Sequence, residues 1–187
     1  MSIPSRLGSS MNKLLIIAIA LALGVPAPAH AQSIGERTGL NALTGVSPST
    51  ADFVRETAIG DMFETGSSEL AAIRGDAPAR AFAARMNEAH QKSSSELALL
   101  VRSHATGTTI PPTMDGNRQA MLTRLRGLMS DEFNRQYRDD QVSAHRDAVS
   151  LFQRYSEGGD NERLRTWARN MLPVLQEHLG MAQELAR

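Results

Sequence analysis

From residue 50 onward, apolar residues return every three or four positions, the period of one face of an α-helix, while strand-forming runs are sparse. The first long helix is predicted over residues 50–74. Ser49 precedes it and Asp52 follows three residues on, a capping-box arrangement that satisfies free backbone donors. Ile59, Met62, Phe63, Gly66, Leu70 and Ile73 recur along it at helical spacing. Gly75-Asp76-Ala77-Pro78 ends this helix and starts the next, residues 77–104, since Asp caps and Pro is tolerated in a first turn. A shorter amphipathic helix is expected over residues 115–129 and two more long ones over 131–157 and 161–186, with Gly158-Gly159-Asp160 as the break between them. Pro173 falls inside the last pattern and is expected to kink it, because it lacks the donor that would bond back to Arg169.

Four long helices with short turns after the first and third, and a long link between the second and third, constrain the topology. Short turns make antiparallel neighbours. A link carrying a short helix can run back along the bundle, so that the third helix starts at the same end as the second. The expected fold is therefore all-α: a ferritin-like four-helix bundle with one long crossover that carries the short extra helix. A simple up-down-up-down bundle is the alternative.

The chain begins differently. Lys13 precedes an apolar run from Leu14 to Val25, and Pro26-Ala27-Pro28-Ala29-His30-Ala31 follows, the segmentation of a secretory signal peptide. The run is shorter than the ~20 residues a membrane-spanning helix needs. Residues 1–31 are thus expected to be a signal peptide cleaved after Ala31, residues 32–49 a flexible leader rich in Gly, Ser and Thr, and residues 50–187 the bundle domain. Met11 is a second candidate start. The expected location is periplasmic or secreted, with no stable membrane anchor after cleavage. Removing the signal takes away Arg6 and Lys13 from a chain of 20 basic and 20 acidic residues, so the mature protein is mildly acidic. That balance argues against a nucleic-acid partner. With no Cys, disulfides, thiolate metal sites and cysteine nucleophiles are excluded, and any metal must rest on His and carboxylates.

The helices carry a family resemblance. Phe53-Val54 and Glu64 in the first, Phe82-Ala83, Met86 and His90-Gln91-Lys92 in the second, Tyr137, Gln141 and His145 in the third, and Leu172-Pro173, Leu175, His178 and Leu179 in the fourth resemble the exported ferritin-like proteins grouped as domain of unknown function 4142. The match spans residues 52–185. This family usually has an acidic residue just before the second-helix histidine, where Ala89 stands here and Glu88 lies one position earlier. The resemblance implies the ferritin-like fold and export, and no established reaction.

Candidate chemistry rests on histidine. His90, His145 and His178 each lie on the apolar side of a different helix: His90 is four residues past Met86, His145 four past Gln141, and His178 seven past Met171. All three should point inwards and could hold a single transition-metal ion such as zinc, copper or iron, or could simply be core residues that satisfy one another. A di-iron carboxylate centre requires Glu-x-x-His pairs, but Asn87, Val142 and Leu175 stand three before the histidines, so the ferroxidase set is absent. Glu64 is the candidate carboxylate, although its place beside the apolar stripe reads as solvated. Gln141, one turn before His145, is placed to orient an imidazole. His104 sits near a helix end, where the dipole favours a cation. Ser93, Ser94 and Ser95 beside His90 lack a third group to complete a triad. The methionines recur at core spacing and read as packing. No catalytic set emerges, and the first expectation is a non-enzymatic envelope or stress protein that binds an unknown protein or small ligand. The alternative is a small metal-binding or oxidant-handling protein with a His-rich core site. Oligomeric state is not set by the sequence.

Overall fold

The computed structural model describes Ser33 and residues 40–187, and all regular structure in those residues is helical. The expected signal peptide and its cleavage point after Ala31 lie outside the described residues, as does most of the first part of the expected leader. The helices are α1 (Leu40–Thr44), α2 (Thr50–Arg74), α3 (Ala77–His104), α4 (Gly116–Gly127), α5 (Ser130–Gly158) and α6 (Glu162–Leu185). α1 lies within the stretch expected to be a leader. None of the described helices is long and apolar enough to cross a membrane.

Local chemistry sets the helix starts. The Ser49 side chain accepts from the Asp52 amide and its hydroxyl donates to the Asp52 carboxylate, while Asp76, Asp115 and Asn161 cap α3, α4 and α6 by accepting from amides of their first turns. α5 starts one residue earlier than expected. Met129 occupies its cap position without a side-chain bond, and Ser130 takes φ 51° as the chain turns into the helix. α6 continues without a break through Pro173, which is exposed.

Contacts at the helix ends fix the directions. The start of α2 meets the end of α5: Tyr155 shares a hydrogen bond of 2.6 Å with Thr50, and the Thr50 amide donates to Asp160. The end of α2 meets the start of α5, where Arg74 donates to the carbonyl of Leu128 and the Asp76 amide donates to Asn134. α6 pairs with α3 in the same opposed sense, since Asn161 donates to the His104 carbonyl and Arg85 bridges to Glu177 at 3.1 Å. Hence α3 and α5 run the same way, and residues 105–129 travel back along the molecule between them. α4 lies on α2 on that return path. Gly66 makes the close approach possible, because a Cβ there would stand 3.1 Å from a methyl of the fully buried Leu122.

The apolar interior is divided in two. One cluster gathers Phe53, Leu97, Val101, Phe152, Tyr155 and Leu164, with Tyr155 stacked on Phe53 at 3.9 Å between ring centroids. The other gathers Phe63, Phe82, Met86, Leu122, Phe133 and Tyr137. On each long helix, one or two buried polar residues fall between members of the two clusters: Asp61 on α2, His90 on α3, His145 on α5 and His178 on α6, with Glu64 just past Phe63. A polar layer therefore crosses the core between two greasy ends.

Two glycines of α2 should respond oppositely to substitution. Gly60 has nothing within 4 Å of the position a Cβ would take. Gly60→Ala should therefore stabilise the protein by about 0.5–1 kcal/mol through backbone entropy alone. Gly66→Val would overpack Leu122 and should cost about 1–3 kcal/mol. Denaturant midpoints of the two variants check both signs.

Candidate metal centre

Three imidazoles meet in the polar layer. Ring centroids of His90, His145 and His178 stand 5.7 Å, 5.9 Å and 5.7 Å apart, a nearly equilateral triangle, and one ring nitrogen from each lies within 4.8 Å of the others. All three residues are buried. In a tetrahedral site with metal–nitrogen bonds of 2.0–2.1 Å the ligand nitrogens stand about 3.3 Å apart, so a shared ion requires the widest of these gaps to close by roughly 1.5 Å.

Outer partners orient two of the rings. Nδ1 of His145 donates to the Gln141 main-chain carbonyl at 2.8 Å, and since a carbonyl only accepts, the proton of the neutral ring sits on Nδ1 and the lone pair on Nε2. Asp61 Oδ1 lies 2.7 Å from Nδ1 of His90, and Ser94 donates to the other Asp61 oxygen at 3.3 Å. This is the carboxylate–histidine relation that positions metal-binding imidazoles. Nε2 of His90, Nε2 of His145 and Nδ1 of His178 are buried without a hydrogen-bond partner. So are both carboxylate oxygens of Glu64, the nearer of which is 3.9 Å from His145 Nδ1. Unpartnered buried polar atoms are costly, and five of them around one triangle of rings mark a place suited to a cation.

The charge environment separates the histidines. Burial lowers the pKa of His178 to about 4, with the neighbouring His145, His90 and Arg85 adding to the shift. Burial also opposes charge on His90, but the Asp61 hydrogen bond together with the Glu64 and Asp61 charges outweighs it and raises that ring above its ordinary value. Tyr137 is pushed far up by burial and by the Glu64 carboxylate. Among the described residues, no Arg or Lys stands at ion-pair distance from Asp61 or Glu64.

A cavity of about 420 Å³ leads from this layer towards solvent. Glu64 and the three histidines line it together with small residues, Gly60, Ala144 and Ala148, and it reaches the exposed Asp147.

The structure brings together His90, His145, His178 and Glu64, and corrects two details. Glu64 is buried, 3% exposed, where a solvated position was expected. α2 packs against α3, α4 and α5 at once, so it has no single apolar stripe against which a residue can be judged outside. Gln141 orients His145 through its main-chain carbonyl, while its side-chain amide donates to Ser67 at 3.1 Å. His104 is exposed in the last turn of α3, apart from the three buried histidines. Asp61 was missed by the sequence reading. Its signal was its place one turn before Glu64, which puts both carboxylates along one side of α2.

A family model described as a domain of unknown function (DUF4142) matches residues 35–185. No curated protein and no solved structure matches the chain.

The opposed shifts predict a particular acid response of the metal-free protein. His178 binds its proton more weakly folded than unfolded, so its contribution lowers stability as pH falls from about 6.5 to about 4. His90 acts oppositely, giving stability that is full below pH 6.5 and lost as pH rises through its raised folded value. Imidazole NMR titration should find His178 neutral down to about pH 4 and His90 protonating above pH 6.5. His178→Asn should flatten the acid-side fall in denaturant midpoint, and an unchanged fall would show that the ring does not carry it.

Proposed function

The chain belongs to the DUF4142 family, and on that premise we propose that it is an exported metal-binding protein that holds one divalent transition-metal ion through His90, His145 and His178, with Glu64 as the carboxylate beside them. The observation that carries this reading is the convergence of three buried imidazoles whose inward nitrogens have no partner, two of them oriented by outer hydrogen bonds. Charge supports it as well. Asp61 and Glu64 put two carboxylates into the layer without a guanidinium or ammonium partner, which a divalent cation would balance. Neutral imidazoles with an adjacent carboxylate suit zinc, copper or iron rather than calcium or magnesium, which prefer all-oxygen shells. Both carboxylates of the layer come from α2, so the four-helix carboxylate set of a ferroxidase is not reproduced, and the reading is one of holding a single ion.

The same proposal covers fold and location. The opposed pairing of α2 with α3 and α5, of α6 with α3 and α5, and the long return of residues 105–129 support a ferritin-like four-helix bundle with one crossover. The amino-terminal segmentation supports export and removal of residues 1–31.

Elemental analysis of the mature protein tests the metal reading. One zinc, copper or iron ion per chain is expected, lost on His145→Ala. Asp61→Asn should weaken binding by about 10–100-fold, because it disturbs the outer partner of His90 without removing a ligand. A purified protein that contains no metal and takes up neither Zn²⁺ nor Co²⁺ in dialysis would sink the proposal. Amino-terminal sequencing of the protein from a periplasmic or secreted fraction should begin at Gln32, and recovery of the uncleaved chain in the membrane would refute the export.

A further inference from the structure

Glu64, His90, His145 and His178 are all buried, so anything that reaches them needs either an opening in the bundle or a parting of its helices. The cavity of about 420 Å³ is such an opening, since its lining includes all four of these residues and the exposed Asp147. Two of its walls come from α2 and α5. On α2, Glu56, Gly60 and Glu64 are spaced four apart and follow one another along one side of the helix. On α5, Ala144 and Ala148 have the same spacing, with Asp147 beside them. Small residues thus stand on both walls, and a Cβ at Gly60 would touch nothing within 4 Å.

The carboxylates of the lining are graded in depth. The side chain of Asp147 is 64% exposed and that of Glu56 25%, whereas those of Asp61 and Glu64 are 5% and 4% exposed. They outnumber the guanidiniums of the same lining, Arg118 and Arg154, by four to two. A cleft with such an excess of one sign draws in ions of the other and raises their rate of entry. Glu64, at the deep end, has both oxygens buried without a hydrogen-bond partner. Arg154 donates to the Val46 carbonyl at 2.8 Å. Arg118 stands at the shallow end, 5.3 Å over the Phe63 ring and paired with Asp147 at 3.0 Å.

We propose that this cavity is the passage by which the divalent ion enters and leaves, with Asp147 as its outer docking carboxylate and Arg118 as a restraint on loading. The inference rests on the metal reading above and adds to it a route and two residues that set the rate. An arriving cation displaces the Arg118 guanidinium from Asp147, then moves past Gly60 and Ala148 to Glu64. The Arg118–Asp147 pair is partly exposed to solvent, so opening it costs little.

Rapid mixing of the metal-free mature protein with Co²⁺, followed by the visible absorption of the bound ion, reads the rate of entry, and transfer of the ion to EDTA reads its release. Asp147→Asn should slow loading about three- to tenfold at low salt, and the difference should shrink at about 0.5 M NaCl, where exposed charges are screened. Arg118→Gln should speed loading. Ala148→Leu should narrow the passage and slow loading and release alike at least tenfold, so that the content at equilibrium stays at one Co²⁺ per chain. Gly60→Leu serves as a second plug should that variant fail to fold. Entry by a parting of the helices elsewhere would answer to none of these changes. Loading rates unchanged in both charge variants and in a folded plug therefore overturn the passage and leave the metal reading standing. A lower affinity of Asp147→Asn at an unchanged loading rate likewise overturns it. Failure of the unaltered protein to bind Co²⁺ overturns both readings.

Discussion

Asp61 and Glu64 are buried in the middle of a helical core, where a carboxylate without compensation is strongly disfavoured, and much else in the molecule answers that constraint. Three imidazoles, each from a different helix, supply the surrounding polar atoms, and Asp61 bonds one of them directly. Because the partners come from α2, α3, α5 and α6, the layer is complete only when all four long helices are in register. A slip of one helical turn, about 5.4 Å, would leave buried polar groups facing hydrocarbon.

The apolar parts of the core are arranged to tolerate it. The aromatic cluster around Phe53, Phe152, Tyr155 and Trp167 closes one end, and the cluster around Phe63, Phe82, Phe133 and Tyr137 closes the other. The layer between them holds the cavity, with Phe82 of one cluster edge-on to His145 at 6.1 Å and Phe152 and Leu175 of the other on the cavity wall. The outer hydrogen bonds then decide what the rings present to that space. His145 is turned by the carbonyl one helical turn earlier, an interaction that any residue type at position 141 other than a helix breaker would supply, whereas His90 depends on the side chain of Asp61 on another helix.

Residues 105–129 tie the same arrangement together from outside. Their return path places α4 against α2 at Gly66, and Arg74, at the end of α2, donates to main-chain carbonyls at the end of α4 and beyond it. The burial of Glu64 follows from this. With α3 and α5 on two sides and α4 on a third, α2 buries Thr57, Asp61, Glu64, Ser67 and Ser68, a polar series that no amphipathic surface helix would carry inward.

The existence and approximate limits of α2 to α6, though not of α1, were legible in the chain itself because capping and periodicity are local: Ser49, Asp76, Asp115 and Asn161 act on amides two or three residues away, and Met86, His90 and Leu97 share a face through helical geometry alone. The inward aim of His90, His145 and His178 followed for the same reason, as did the exclusion of thiolate chemistry by a chain without Cys. Their meeting did not. Whether three inward histidines on separate helices stand at one height depends on how the helices are staggered, and that is decided by contacts between residues far apart in sequence, such as Thr50 with Tyr155 and Asp76 with Asn134. Asp61 and Glu64 were hidden for a related reason: the face of α2 they occupy is buried only because a crossover helix and two long helices pack around it. Periodicity along one helix determines which side turns towards a core, while tertiary packing alone decides how many sides are covered and which polar groups end up facing one another.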